Sequence, residues 1–224
     1  MKKYVIIVAG GRGARMDSDL PKQFISLSGK PIILHTISLF QICDPAVETI
    51  IAIHPGYREY WMRMLNEYMG DFRHILVDGG TERFHSVKNS LEHVPGGVLV
   101  AIHDAVRPLV SLETIRRSFD MAGLKGTAVP CIVIPESVRR IEPGGSKSVK
   151  REKLRIIQTP QVFHSDILKD AYQVDYRNKF TDDAAVVEHA GHSIHLVEGN
   201  IENIKITTRE DIKLAEFYLQ QRYR

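Results

Sequence analysis

The stretch Tyr4-Val5-Ile6-Ile7-Val8-Ala9-Gly10-Gly11-Arg12-Gly13-Ala14-Arg15-Met16, with Pro21-Lys22-Gln23 close behind, decides how this chain is read. Its apolar run has the length and β-branched content of a buried strand. It breaks at once into a glycine-rich, cationic loop. Glycines let the main chain turn tightly and present its N–H groups to an anion. Arg12, Arg15 and Lys22 add positive charge, so a polyphosphate is the natural occupant. The loop lacks the Gly-x-x-x-x-Gly-Lys-Ser/Thr spacing of a Walker A motif. It matches a dinucleotide fingerprint only through Gly11-x-Gly13: Met16 stands where the third glycine belongs. The next apolar run ends Ala52-Ile53-His54, without the acidic residue that would hold a ribose.

Outward from this loop, apolar runs alternate with helical patterns. Val47–Ile53, Ile75–Val77, Val98–Ile102 and Ala128–Ile134 read as strands. Ile32–Phe40, Tyr57–Met69, Phe84–His93 and Leu112–Ala122 repeat apolar residues at helical spacing, the first entered through Pro31. A last helix, Arg209 to Arg222, starts behind Thr207-Thr208 with Glu210 and Asp211 in its first turn. Strands alternating with helices predict parallel βαβ units and a three-layer α/β domain. Ligands of such sheets bind beyond the carboxyl ends of the strands. Gly10, Asp78 and Asp104 each follow an apolar run and would meet on that edge.

Between Pro135 and Gln158 the pattern breaks. This stretch is rich in arginine and lysine, with Pro143-Gly144-Gly145 as its turn. It reads either as a solvated hairpin or as an arm, residues 136–158, that projects and contributes to a dimer. Residues 1–224 otherwise form one domain, large enough for a substantial core.

Composition narrows the options. Hydrophobic residues make up 43% and charged residues 25%, as in a soluble globular protein. A net charge of +3 is too mild to argue for nucleic acid. Cys43 and Cys131 have no CxxC partner, which argues against a zinc site or disulfide framework. No run approaches a membrane span, and the amino terminus lacks the pattern of a signal peptide, so the expected location is the cytoplasm.

Four further segments offer chemistry. Gly79-Gly80, after Asp78, permits close backbone approach to a flat ligand such as a base, or simply turns the chain into a helix. In His103-Asp104-Ala105-Val106-Arg107 the aspartate can ligate Mg2+ or accept a sugar hydroxyl, or pair with Arg107 at the surface. Lys205, between Ile204 and Ile206 on a strand, points toward solvent or toward the ligand edge. Thr159-Pro160-Gln161 and Thr181-Asp182-Asp183-Ala184 read as loop-to-helix entries, suited to capping or to phosphate. Arg15 and Lys22 suit the charge that develops on an α-phosphate and a leaving pyrophosphate, or pair with Asp17 and Asp19. The ten histidines show no metal-ligand spacing, and His189, His192 and His195 read as surface residues.

Taken in order, these motifs resemble the 2-C-methyl-D-erythritol 4-phosphate cytidylyltransferase family. The resemblance runs nearly end to end: the first loop, Pro21-Lys22-Gln23, Gly79-Gly80 with Glu82-Arg83 and Ser86-Val87, and His103-Asp104-Ala105 with Arg107-Pro108. It continues through Thr159-Pro160-Gln161, Thr181-Asp182-Asp183-Ala184, Val197-Glu198-Gly199 and Asn203-Ile204-Lys205. It implies a nucleotide-diphospho-sugar transferase (Rossmann-like) fold with a mostly parallel sheet, a protruding β-arm and a homodimer. CTP would sit over Ala9, Gly10, Gly11 and Gly13, with Mg2+ bridging its phosphates and Asp104 the candidate metal ligand. Arg15, Lys22, Arg151 and Lys205 would be catalytic, and Gly80, Thr81 and Ser86 would surround the cytosine. Asp104, Arg107, Ser137, Thr159 and Thr181 would bind the polyol phosphate, with Ser137 and Arg151 reaching the other subunit's substrate. Gly10, Thr81 and Ser137 depart from the commoner alanine, aspartate and threonine of the family. The implied reaction transfers CMP from CTP to 2-C-methyl-D-erythritol 4-phosphate, with no nucleic acid or membrane as partner. Ribitol-5-phosphate cytidylyltransferase shares most of these motifs, and a catalytically silent nucleotide-binding module is the reading from another class.

Overall fold

Strand β1 (Lys3–Ala9) is the axis of a computed structural model that describes residues 1–11 and 20–222. A short hairpin, β2 (Ser26–Leu27) and β3 (Lys30–Pro31), leads into α1 (Ile32–Cys43). Then come β4 (Glu48–Ile53), α2 (Arg58–Tyr68), β5 (Ile75–Asp78), α3 (Arg83–Leu91), β6 (Leu99–Asp104), α4 (Leu112–Lys125) and β7 (Thr127–Val133). A second hairpin, β8 (Val138–Glu142) and β9 (Gly145–Val149), precedes β10 (Arg155–Ile157) and β11 (Gln161–His164). The chain closes with α5 (Ser165–Ala171), α6 (Asp183–His189), β12 (Leu196–Glu198) and α7 (Arg209–Arg222).

The main sheet has the order β10-β7-β11-β6-β1-β4-β5, with β12 also paired to β7. Period-2 alternation splits β1 between two cores. Val5, Ile7 and Ala9 pack with α1, α2 and α4 through Ile37, Phe40, Trp61 and Phe119. Tyr4 and Ile6 pack with α3, α5 and α6 through Val87, Leu168, Tyr172 and Val187. The three layers are those predicted, each buried apolar side chain contributing about 1.5–3 kcal/mol.

The sheet is mostly parallel, as expected, with antiparallel pairing confined to β10 and β11, which the alternation of strands and helices does not indicate. β1, β4, β5 and β6 are parallel, whereas β11 runs antiparallel to both β6 and β7. The hairpin excursion returns β10 antiparallel to β7, and only residues 158–160 separate β10 from β11. The chain keeps one direction through these three residues, β10 pairing with one end of β7 (Val133–Cys131) and β11 with the other (Ala128–Thr127), so β11 runs antiparallel to β7 as β10 does. Consequently Thr159-Pro160-Gln161 enters a strand, not a helix. Lys205 likewise lies on no strand: its segment is irregular and is fixed by the Ile206 N–H bond to the Val106 carbonyl at 2.9 Å. Within 136–158, β8 and β9 form their own exposed two-stranded sheet, while β10 rejoins the main one.

Register sets the site. Val8 lies level with Asp104, while Ala9 is level with Ile53 and Ile53 with Asp78, so the carboxyl ends finish along one edge. A third cluster, Leu27, Ile32, Val106, Leu109, Ile206, Ala215 and Leu219, ties α7 and the first hairpin beside that edge.

Candidate active site

At the carboxyl ends of β1 and β6 lies a cleft of about 250 Å³. One wall is the base of the first loop. The buried Gln23 amide donates to the Ala9 carbonyl at 2.6 Å and to the Gly11 carbonyl at 3.4 Å. This clasp ties the strand end to the short 3-10 turn Lys22–Phe24, which carries Lys22 into the cleft. Arg12, Gly13 and Arg15 lie outside the described residues.

The opposite wall is the turn into α3. A Cβ at Gly79 would stand 3.2 Å from the Gly10 Cα and 3.3 Å from the Ile53 carbonyl, so the two glycine backbones touch because neither carries a side chain. The Gly80 N–H donates to Ser86 Oγ at 3.1 Å, and the Ser86 hydroxyl donates to the Glu82 carbonyl at 3.3 Å. Gly80, Thr81 and Ser86 all line the cleft.

Asp104 forms the floor. Its Oδ1 accepts from Arg83 Nε at 3.2 Å; its Oδ2 takes Lys205 Nζ at 3.0 Å and Arg107 Nε at 3.5 Å. Burial by itself would raise the Asp104 pKa. The charges of Arg83, Lys205 and Arg107 outweigh it and hold the carboxyl well below the usual carboxylate range. Arg107 Nη1 also donates to the Asn203 carbonyl at 2.7 Å, which draws the Lys205 segment against β6.

Behind Asp104, hydrogen-bond geometry settles a tautomer. His103 Nε2 lies 3.1 Å from the Arg107 carbonyl, which can only accept, so Nε2 carries the proton. Nδ1 therefore accepts from the Thr159 hydroxyl at 3.0 Å, and Thr159 Oγ1 accepts from the Asp104 N–H at 3.1 Å. His103 is fully buried, and burial pushes its pKa down to about 4, so it is neutral at physiological pH.

Of the residues singled out from the sequence, Ala9, Gly10, Gly11, Lys22, Gly80, Thr81, Ser86, Asp104 and Lys205 come together in this cleft. Arg107 and Thr159 support Asp104 from behind. Thr181 is exposed ahead of α6 and is not among the described lining residues. Ser137 and Arg151 are exposed on the 136–158 segment, where Arg151 donates to the Pro135 carbonyl; neither lines the cleft of its own chain. Asp78 shares the edge but pairs with Arg58 at 2.7 Å. His192 and His195 are half-buried rather than surface residues, His195 Nδ1 lying 2.8 Å from Thr127 Oγ1.

Two residues quoted from the sequence only as motif members, with no role assigned, prove to be contributors. Arg83 bridges Asp104 and the fully buried Asp183, and Gln161 joins Asp182 Oδ2 at 2.8 Å while accepting the Ala184 N–H at 2.8 Å. The available signal is the acidic pair: Asp182 caps α6 through the Ala185 N–H at 2.9 Å, which leaves Asp183 to face the interior. Among the described residues, no cluster of three or more His, Cys, Asp or Glu could hold a metal ion.

Comparison with known proteins bears on this cleft. The family model described as "IspD: 2-C-methyl-D-erythritol 4-phosphate cytidylyltransferase" matches residues 3–221. A protein of that name from Phocaeicola vulgatus is 46% identical over 216 residues, 96% of this chain and 99% of its own length. Another, from Porphyromonas gingivalis, is 46% identical over 220 residues, covering 97% of this chain and 98% of its own. Among solved structures, the Francisella tularensis 2-C-methyl-D-erythritol 4-phosphate cytidylyltransferase superposes with a TM-score of 0.80 at 30% identity, over 97% of this chain and 99% of its own. The enzyme of that name from Thermus thermophilus superposes at 0.79 and 28% identity, over 98% and 100% of the two chains.

Proposed function

This chain belongs to the 2-C-methyl-D-erythritol 4-phosphate cytidylyltransferase family, and on that premise we propose how its residues move CMP from CTP to 2-C-methyl-D-erythritol 4-phosphate. The products are 4-diphosphocytidyl-2-C-methyl-D-erythritol and pyrophosphate, the transfer serving isoprenoid synthesis. The acceptor's phosphate oxygen forms a bond to the α-phosphorus of CTP as the bond to the β-phosphate oxygen breaks. A phosphate monoester is already an anionic nucleophile, so no side chain must take a proton from it. Positioning and charge neutralisation carry the rate.

The Gly10 and Gly11 backbone and Lys22 hold the triphosphate, with Arg15 added from the same loop. Gly80, Thr81 and Ser86 face the cytosine. Asp104, Arg107 and Lys205 hold the acceptor side, Lys205 nearest the reacting phosphates. What carries this reading is the meeting of Gly10, Gly11, Lys22, Asp104 and Lys205 in one cleft.

Asp104 is the carboxylate that would hold Mg2+ together with the triphosphate oxygens. Both of its oxygens are already engaged by Arg83, Arg107 and Lys205, so an ion here would depend on nucleotide oxygens and water for its remaining ligands. When bound, the ion supplies neutralisation of phosphate charge. Ser137 and Arg151 act in trans on the partner's cleft in a homodimer. This reading is supported by their exposure and absence from the lining of their own cleft, and by the exposed Val133, Ile141, Ile156 and Ile157 on or beside the same segment. Among the described residues, no helix is long and apolar enough to cross a membrane.

The test is pyrophosphate release with CTP, Mg2+ and 2-C-methyl-D-erythritol 4-phosphate, with ribitol 5-phosphate in competition. Turnover confined to the methylerythritol substrate is expected. Preference for ribitol 5-phosphate, or CTP binding without pyrophosphate, would overturn the assignment.

A further inference from the structure

Arg83 is planted at the first turn of α3, beside the cleft, yet its fork points inward. Nη1 and Nη2 meet Asp183 Oδ1 and Oδ2 at 2.9 and 2.7 Å, a bidentate pair. Asp183 is completely buried, and the Tyr172 hydroxyl donates to its Oδ1 at 2.7 Å. Tyr172 is itself locked, its ring stacked on Phe84 at 4.7 Å. The one remaining arm of the fork, Nε, reaches Asp104 Oδ1. Tyr172, Asp183, Arg83 and Asp104 therefore form one directed chain that ends in the cleft.

Such a chain has no obvious value for stability. Replacing buried ion pairs by apolar residues of similar volume is often neutral or stabilising, because desolvation offsets the attraction. The three cations on Asp104 also differ in kind. Lys205 is the most exposed, with 42% of its side chain open, against 26% for Arg83 and 12% for Arg107. Arg83 is the one whose other nitrogens are anchored to a carboxylate that cannot move.

We propose that Arg83, held by Asp183 and Tyr172, is a positioning residue that fixes the Asp104 carboxylate and so leaves Lys205 able to exchange Asp104 for substrate phosphate. The proposal rests on the role given to Asp104 above. It differs from a packing role in one respect: Arg83 acts through Asp104, so its effect must vanish once Asp104 can no longer be held as an ion.

A mutant cycle on the full-length enzyme reads this directly. The paired swap Arg83→Gln with Asp183→Asn removes both charges without stranding either, and is made in the native and the Asp104→Asn backgrounds. Steady-state or single-turnover pyrophosphate release gives kcat/KM, and thermal unfolding checks that each variant folds. In the native background the swap is expected to lower kcat/KM by about 10-fold or more, and in the Asp104→Asn background by about 2-fold or less. Equal losses in both backgrounds, or no loss in either, would overturn the proposal. Should the swap not fold, Tyr172→Phe in the same two backgrounds decides, with a loss of about 3-fold expected only where Asp104 is intact. If Asp104→Asn alone costs nothing, the role of Asp104 itself fails, and the proposal with it.

Discussion

Acid should unfold this protein through His103 before it reaches the carboxylates. Burial lowers the His103 pKa from 6.5 to about 4. Between those values the unfolded chain holds a proton on this imidazole that the folded chain does not, so stability falls as pH drops. Each pH decade is worth about 1.4 kcal/mol, so the window of roughly 2.5 decades amounts to about 3 kcal/mol. The geometry adds to the cost of burying the charge: a protonated Nδ1 can no longer accept from Thr159, so the buried Thr159 hydroxyl loses the acceptor for its proton. Asp104 also loses a stabilising charge in acid, but its pKa is depressed, so that loss begins only below the unfolded value of 3.8. The assay is urea unfolding followed by circular dichroism across this range, for the native chain and His103→Gln. The variant should be less stable at neutral pH by about 1–3 kcal/mol, having lost the buried acceptor. It should also lack the extra acid loss, so the two stability curves should converge by about 3 kcal/mol on going down to pH 4. Curves that stay parallel from pH 6.5 to 4 would refute the reasoning.

Other perturbations follow from the same geometry. Lys22→Ala and Lys205→Ala should each lower kcat/KM by about 100-fold or more in pyrophosphate release, since both cations line the cleft. Gln23→Leu keeps the volume but cuts the bonds to the Ala9 and Gly11 carbonyls; it should raise KM for CTP by about 10-fold, read from initial rates. Gly79→Ala puts a methyl group against the Gly10 and Ile53 backbones and should destabilise the fold by about 1–3 kcal/mol in chemical denaturation.

Local chemistry explains why so much was legible without coordinates. The run Tyr4–Val8 is long enough only for a strand and apolar on both faces, and such a strand belongs inside a sheet covered by helices. The α7 start was readable because capping is local: Asp211 accepts from the Thr207 and Thr208 N–H groups at 2.7 and 2.8 Å, and the Thr208 hydroxyl accepts from the Asp211 N–H. Gly79-Gly80 and His103-Asp104 were visible as strand ends, where a break in an apolar run marks the sheet edge. The antiparallel β11 was not visible, because its direction depends on where a solvated hairpin returns the chain.

The alternation of strands and helices as far as β7, the expectation of an anion at the first loop and the likeness to a cytidylyltransferase came from residue pattern and spacing alone. What folding added is the charge geometry around Asp104. Arg83 and Asp183 stand 100 positions apart, and Lys205 about as far from Asp104. No local pattern encodes such pairs. They meet because the sheet register aligns the strand ends and burial then makes every unpaired charge too costly to keep.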